Sequence, residues 1–236
     1  MLGPVLDTYK TNIRMTAFAV VLALIFCTPL WFAAQETDSR TARVIFLAVL
    51  AFFILLITER LTARAYLHGD GISYRSILSQ KEIRWLEVAR LYYGAHRVSV
   101  DFIPLGTFYQ LKLLDQNGQQ LSLGDRVSRT AQLAEKIAQY TYEPLLRKAT
   151  DNFNRGEELD FGLVRISRSA GLKLKRWSGY TTIKWADLAA YKLDAGNFYL
   201  WRAGEKHTNG LPTERIPNAW VLLGLLNAVS NKKSPD

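Results

Sequence analysis

Four cations fall within twelve residues at Lys173, Lys175, Arg176 and Lys184, on a segment whose alternate positions are apolar. In an extended strand, Lys173 and Lys175 share one face while Leu172 and Leu174 share the other; Lys184 points away from Ile183 and Trp185. Clustered ammonium and guanidinium groups suit phosphate and other anionic oxygens. Arg75, Lys81 and Arg84 occupy similar places about a hundred residues earlier. These seven residues form a candidate lipid- or anion-binding set, for which a solvated basic face without a specific ligand is the plainer alternative.

Other chemistry finds little support. His68, His96 and His207 are isolated from carboxylate pairs at ligand spacing, and His68 sits in a His-Gly-Asp-Gly turn suited to a structural role. Gly69 and Gly71 make a turn and not a nucleotide fingerprint. Cys27 is the one cysteine and lies in an apolar run, which excludes an internal disulfide and a cysteine-cluster metal site. No catalytic residues, metal or cofactor are expected. Basic charge beside Tyr92, Tyr93, Phe102 and Tyr109 could imitate a base-stacking platform, but no recognition motif accompanies it, and nucleic acid is not expected as a partner.

The elements that must position these cations are duplicated. Gly71-Ile72-Ser73-Tyr74 is echoed by Gly171-Leu172-Lys173-Leu174, and Ile83-Arg84-Trp85-Leu86-Glu87-Val88-Ala89 by Ile183-Lys184-Trp185-Ala186-Asp187-Leu188-Ala189. The alternation around Trp85 and Trp185 places both indoles on the apolar side of a strand, as core and not as exposed anchors.

Ahead of the repeats lie two apolar runs. Met15 to Ala34 has no charge over twenty residues, matching the length that a bilayer-crossing helix requires. Val44 to Thr58 is shorter, but Ala42 and Leu61 extend it while Arg43 and Arg60 snorkel outward. The expected spans are about 15–34 and 43–61, joined by a polar loop so that both ends emerge on one side. A cleavable signal peptide fits less well, since the apolar core is long and a second run follows closely; a buried soluble hairpin is hard to fit into so small a protein. Net charge is +9, and Glu59 to Asp236 holds 26 Lys and Arg against 18 Asp and Glu. That balance suits an anionic membrane face and places both termini in the cytoplasm.

From Arg64 onward, short alternating runs separated by Gly, Asn and Asp predict antiparallel strands. The first set is expected near 64–68, 72–78, 81–85, 88–93, 97–102, 108–114 and 119–123, with a hairpin at Asn117-Gly118. Asp125 is placed to cap the following helix, whose apolar face is Val127, Ala131, Ala134, Ile137 and Ala138. Glu143-Pro144 is expected to end or kink it, and 145–154 to continue as a further helical stretch. The second set is expected at 163–168, 172–177, 181–186, 188–193 and 197–202. A final helix starts at Pro217-Asn218 and is apolar nearly all round, so it must be packed deeply or against a partner.

Seven antiparallel strands closed by a C-terminal helix resemble the pleckstrin-homology-like barrel. With the Gly156–Gly162 link and the Ile216-Pro217-Asn218 helix start, residues 64–230 resemble the bacterial pleckstrin-homology-like membrane proteins. That resemblance implies an α+β membrane protein: a transmembrane helical hairpin over 1–62, one barrel over 63–155 and another over 156–236. It implies a bacterial inner-membrane location and a non-catalytic binding or scaffold role towards anionic lipid headgroups, a protein partner, or both. About five residues separate the second span from the first strand, and at no more than about 3.5 Å each they hold the first barrel against the leaflet. The alternative is an immunity or regulatory protein that neutralises a toxin or restrains a membrane partner through its spans. Neither the partner's identity nor the oligomeric state follows from the sequence.

Overall fold

The structure is a computed structural model that describes residues 2–36, 40–100, 103–177, 179–194, 196–205 and 210–229. Strand β1 (Val5–Lys10) precedes helices α1 (Ile13–Glu36) and α2 (Arg40–Thr62). Strands β2 (Arg64–His68), β3 (Gly71–Arg75), β4 (Gln80–Arg84), β5 (Val88–Val100), β6 (Ile103–Asp115) and β7 (Gln120–Ser122) lead to α3 (Thr130–Asn154). Then come β8 (Leu159–Phe161), β9 (Val164–Ser167), β10 (Gly171–Arg176), β11 (Gly179–Ile183), β12 (Leu188–Asp194), β13 (Asn197–Arg202), β14 (Leu211–Pro212) and α4 (Ala219–Val229).

The protein is α+β, and its sheets are antiparallel. Sheets β1-β2-β3-β4 and β5-β6-β7 are followed by a helix, and so are β11-β10-β9-β8 and β12-β13-β14. The hundred-residue echo is therefore a repeated four-stranded sheet, three-stranded sheet and helix. Closed barrels do not form: among the described residues the strands pair into four separate sheets. Where a ladder would continue from one sheet to the next, the chain makes a 3-10 turn at Trp85–Glu87 and again at Trp185–Asp187. The two tryptophans thus open turns and do not sit within strands as expected.

The contacts divide the chain into two units. In the first, Met1–Arg84 with Asp125–Arg129, the helical hairpin is inserted between two paired strands. β1 pairs antiparallel with β2, Lys10 facing Arg64 and Tyr9 facing Ala65. Strands were expected only from Arg64, and β1 joins a sheet whose next strand lies beyond both helices. Asn12 starts α1: its side-chain oxygen accepts the Arg14 amide at 3.2 Å and its carbonyl accepts the Thr16 amide at 3.2 Å. The Thr11 hydroxyl joins the two ends of the hairpin, contacting the carbonyls of Arg60 and, at 2.9 Å, Ala63. Phe26 meets Phe53 at 6.2 Å and Trp31 meets Phe46 at 5.3 Å, as antiparallel neighbours. No residue of α2 is buried, and Phe18, Leu24, Ile25, Leu47, Phe52 and Ile54 are more than half exposed. Both helices are long and apolar enough to cross a membrane.

The second unit is Trp85–Gly124 with Thr130–Asp236. The expected strands 88–93 and 97–102 are one strand, β5, as far as Val100; Asp101 and Phe102 lie outside the described residues. Gly94, between the two expected strands, gives Glu214 room: a Cβ there would lie 2.7 Å from the Glu214 Cβ. Helix α3 begins at Thr130, whose hydroxyl donates to the Gly124 carbonyl at 2.8 Å; it starts five residues beyond Asp125, the expected cap, whose side chain lies outside the described residues. It continues through Pro144 to Asn154. The lost backbone donor is outweighed because the helix serves both repeats: Tyr140 stacks on Trp85 at 5.3 Å and Phe153 meets Trp185 edge-on at 6.0 Å. A Gly156 cap ends it, with Gly156 and Glu157 amides donating to Phe153 and Asn152 carbonyls at 3.0 Å. The deep core of the second repeat gathers Val164, Leu172, Tyr191, Phe198, Leu222 and Leu225. Helix α4 is buried there and against α3, where Gly224 leaves room for the Tyr142 hydroxyl.

Candidate functional site

The β10–β11 hairpin carries the four cations of the second repeat. Its register pairs Leu172 with Ile183, Lys173 with Thr182, Lys175 with Tyr180 and Arg176 with Gly179. The hairpin begins at Gly171, whose φ of +89° and whose position against the Ile183 carbonyl (2.3 Å from an added Cβ) require glycine. Gly71 meets the Ile83 carbonyl in the same way, at 2.4 Å. Both repeats fold this corner around a missing side chain.

The outer face of the hairpin is a network of both signs and not a purely basic patch. On β9, Arg165 lies opposite Lys173 and also opposite Asp160 of β8. The Lys173 ammonium contacts the Glu158 carboxylate, and Arg165 reaches Glu158 at 3.5 Å and Asp160 at 3.9 Å. The Arg165 guanidinium also lies 4.8 Å from the Tyr180 ring centre. The hydrogen bond from Lys173 holds the Glu158 carboxyl below the usual glutamate range; partial burial opposes this, and the charges of Lys173 and Arg165 add to it. Lys173 therefore has an anion from its own chain. The sequence signal for this was the alternation Glu158-Leu159-Asp160-Phe161, whose last three residues form β8.

Lys175 and Arg176 are exposed at the far end of the hairpin. There they line a cleft of about 80 Å3 with Thr181, Arg202 and Glu205, the last two 3.8 Å apart. Arg202 is a cation that the sequence reading missed, since β13 lies about thirty residues further on. Trp177 stands at the hairpin tip, fully exposed at 106%. Lys184 is also exposed but lies at the Gly171 end, about 16 Å along the strand from Arg176. The structure thus brings Lys175 and Arg176 together and leaves Lys184 apart.

In the first repeat, Arg75 ends β3 with Glu82 4.0 Å away, Lys81 faces Tyr74, and Arg84 faces Gly71 at the other end of the hairpin. Arg75 and Arg84 are exposed. Between β3 and β4, Ser76 and Ser79 close a turn that presents Ile77 and Leu78 outward.

The remaining candidates have structural surroundings. His68 Nδ1 donates to the Gly3 carbonyl at 2.9 Å, which leaves Nε2 to accept from the Ser73 hydroxyl at 3.0 Å. The His96 side chain and His207 lie outside the described residues. Tyr93 stacks on Tyr109 at 6.3 Å and Lys112 lies over the Tyr92 ring, so all three rings have partners within the chain, while Phe102 lies outside the described residues. Tyr93 lines a cavity of about 250 Å3 with Leu91, Glu135, Asp194, Ile216 and Trp220. Burial raises its phenol pKa first, and the neighbouring Tyr109 and Glu135 raise it further. A neutral phenol there can donate a hydrogen bond but is no nucleophile.

These features define an α+β protein with two bilayer-length helices and a cation-rich hairpin tip. No group of three or more His, Cys, Asp or Glu able to hold a metal occurs among the described residues. The chain belongs to DUF6585, a family of unknown function that it matches over residues 1–235. No curated protein matches it.

Proposed function

We propose that this protein is a membrane-anchored, non-catalytic binding or scaffold protein of the bacterial inner membrane, with both termini cytoplasmic. Each repeat is a pleckstrin-homology-like module, and the second contacts anionic lipid headgroups through Lys175, Arg176 and Arg202 around Trp177. The observation that carries this reading is the β1–β2 ladder. It pairs the strand before the helical hairpin with the strand after it, so both helix ends lie on one side. It also weighs against a cleaved signal peptide, since cleavage after α1 would strip β1 from its sheet. The lack of any buried residue in α2 favours a hydrocarbon surround over a soluble core.

Support for the modules is the twofold recurrence of a four-stranded sheet, a three-stranded sheet and a helix. Support for lipid contact is local. A tryptophan beside cations suits a headgroup boundary, where an indole's apolar body and N–H are both satisfied and each cation contributes about 1 kcal/mol.

The test uses the full chain. It should stay with membranes through an alkaline carbonate wash; release would end the membrane reading. The emission difference between wild type and Trp177→Phe isolates one indole. In uncharged micelles doped with phosphatidylglycerol that component should shift to the blue. Lys175→Glu with Arg176→Glu should abolish the shift, and equal spectra with and without anionic lipid would refute the contact.

A further inference from the structure

We propose that the Ser76–Ser79 turn is a membrane-contacting element in its own right, with Ile77 and Leu78 entering the bilayer interface beside α2. The proposal rests on the membrane reading above, but on a different part of the molecule from the second-repeat cations.

Leu78 is 64% exposed and Ile77 55%, side by side at the end of a short hairpin. A soluble surface turn gains nothing from two adjacent large aliphatic side chains, and each costs more left in water than placed in apolar surroundings. The turn is rigid enough to present them. The Ser76 amide donates to the Ser79 carbonyl at 2.8 Å, and the Ser79 amide donates to the Ser76 hydroxyl at 3.1 Å.

What fixes the turn's depth is its bond to α2. The Leu78 amide donates to the Glu59 carboxylate at 3.1 Å. Glu59 immediately follows the apolar run Val44–Thr58 and lies less than one turn from the end of the helix at Thr62. If α2 spans the bilayer, its apolar run ends where hydrocarbon gives way to headgroups, and Leu78 is tied to that level. Leu61, 58% exposed, continues the same apolar surface on the helix, and Arg60 and Arg64 flank it. Apolar tips with cations just above them match the boundary between acyl chains and anionic headgroups. The occupant of this surface is therefore the bilayer itself.

The experiment places an environment-sensitive dye on Ile77→Cys or Leu78→Cys in a Cys27→Ser background, in the full chain reconstituted into phosphatidylcholine–phosphatidylglycerol vesicles. Asp70→Cys is the comparison, at the opposite end of five-residue β3 and about 16 Å away. The dye at 77 and 78 should emit to the blue of the dye at 70, resist aqueous iodide, and be quenched by lipids with a nitroxide just below the headgroup. Emission and iodide quenching equal to those at position 70, in protein retained through a carbonate wash, would overturn this proposal alone. Loss of the protein in that wash would overturn the membrane reading. A blue shift that grows with the protein-to-lipid ratio without nitroxide quenching would assign the surface to a second copy and also overturn the proposal. Ile77→Ser with Leu78→Ser supplies the variant without a dye: it should keep the wild-type circular dichroism and raise proteolytic cleavage at the turn in vesicles. Unchanged cleavage would count against the contact.

Discussion

Asn218 should be among the most sensitive positions in the chain, although it touches no candidate ligand. Its side-chain oxygen accepts the Leu91 amide at 2.8 Å, its side-chain nitrogen donates to the Ala89 carbonyl at 2.9 Å, and its own amide donates to the Leu91 carbonyl at 2.8 Å. One residue from the second repeat thus completes the free edge of β5, a strand of the first, while its carbonyl accepts the Leu222 amide to begin α4. Its φ is +55°, a conformation that asparagine tolerates better than other residues with a Cβ. Asn218→Ala strands two partly buried backbone groups at about 1–3 kcal/mol each and adds about 1 kcal/mol of backbone strain, for a total of roughly 3–7 kcal/mol. Asn218→Gly should recover only the strain, about 1 kcal/mol. Asn218→Asp keeps the Leu91 acceptor but sets an oxygen against the Ala89 carbonyl, and should fall between wild type and alanine. The assay is denaturant unfolding of the full chain in mild detergent, followed by tryptophan emission and compared at constant slope. An alanine variant within about 0.5 kcal/mol of wild type, the usual range for an inconsequential surface change, would refute the view that this side chain joins the repeats.

Glu158→Gln should strengthen the anionic-lipid response of Trp177 severalfold, since it releases Lys173 and Arg165 and a cation at such a surface contributes about 1 kcal/mol; a weaker response would refute this. Because Lys173 lowers the Glu158 pKa, their pairing holds above the ordinary value of 4.5 and fails as pH falls through the lowered one; acid should therefore mimic the substitution in wild type and do nothing further in the variant. Gly171→Ala should destabilise the second repeat by more than about 1 kcal/mol in the same unfolding assay, through its positive φ and the Ile183 carbonyl. Thr11→Val should loosen the base of the helical hairpin, seen as faster amide exchange at Arg64–His68, while Thr28→Val, whose hydroxyl bonds within α1, should leave those amides unchanged.

Much of the architecture could be read from local pattern. The apolar runs became α1 and α2, with Pro29 accommodated inside α1, and the Asn117-Gly118 hairpin formed with Gly118 at φ +84°. What escaped depended on distant partners. β1 is six residues whose mate lies beyond both helices, so its modest alternation carried no sign of pairing. Pro144 read as an end or a kink because sequence does not show that Trp85 and Trp185 both lean on one helix. Asn218 read as a helix start, and its side chain's work on β5 was invisible. At the candidate site the strand faces were legible, but neither the pairing of Lys173 with Glu158 nor the arrival of Arg202 could be seen without the register of β8 and the position of β13.

The placement of the helical hairpin between two hydrogen-bonded neighbours has a consequence for construction and for biosynthesis. On the ribosome, β1 emerges first and must wait, unpaired, until both helices have left the tunnel and β2 follows, so the first sheet closes only after the whole helical hairpin has been made. Conversely, Lys10 and Arg64 already face each other across the ladder. Excising 11–63 and joining those two residues by a two-residue Asn-Gly loop would bridge the gap with an ordinary hairpin turn. The protein thus carries within its own topology the plan for a version of itself without the two apolar helices.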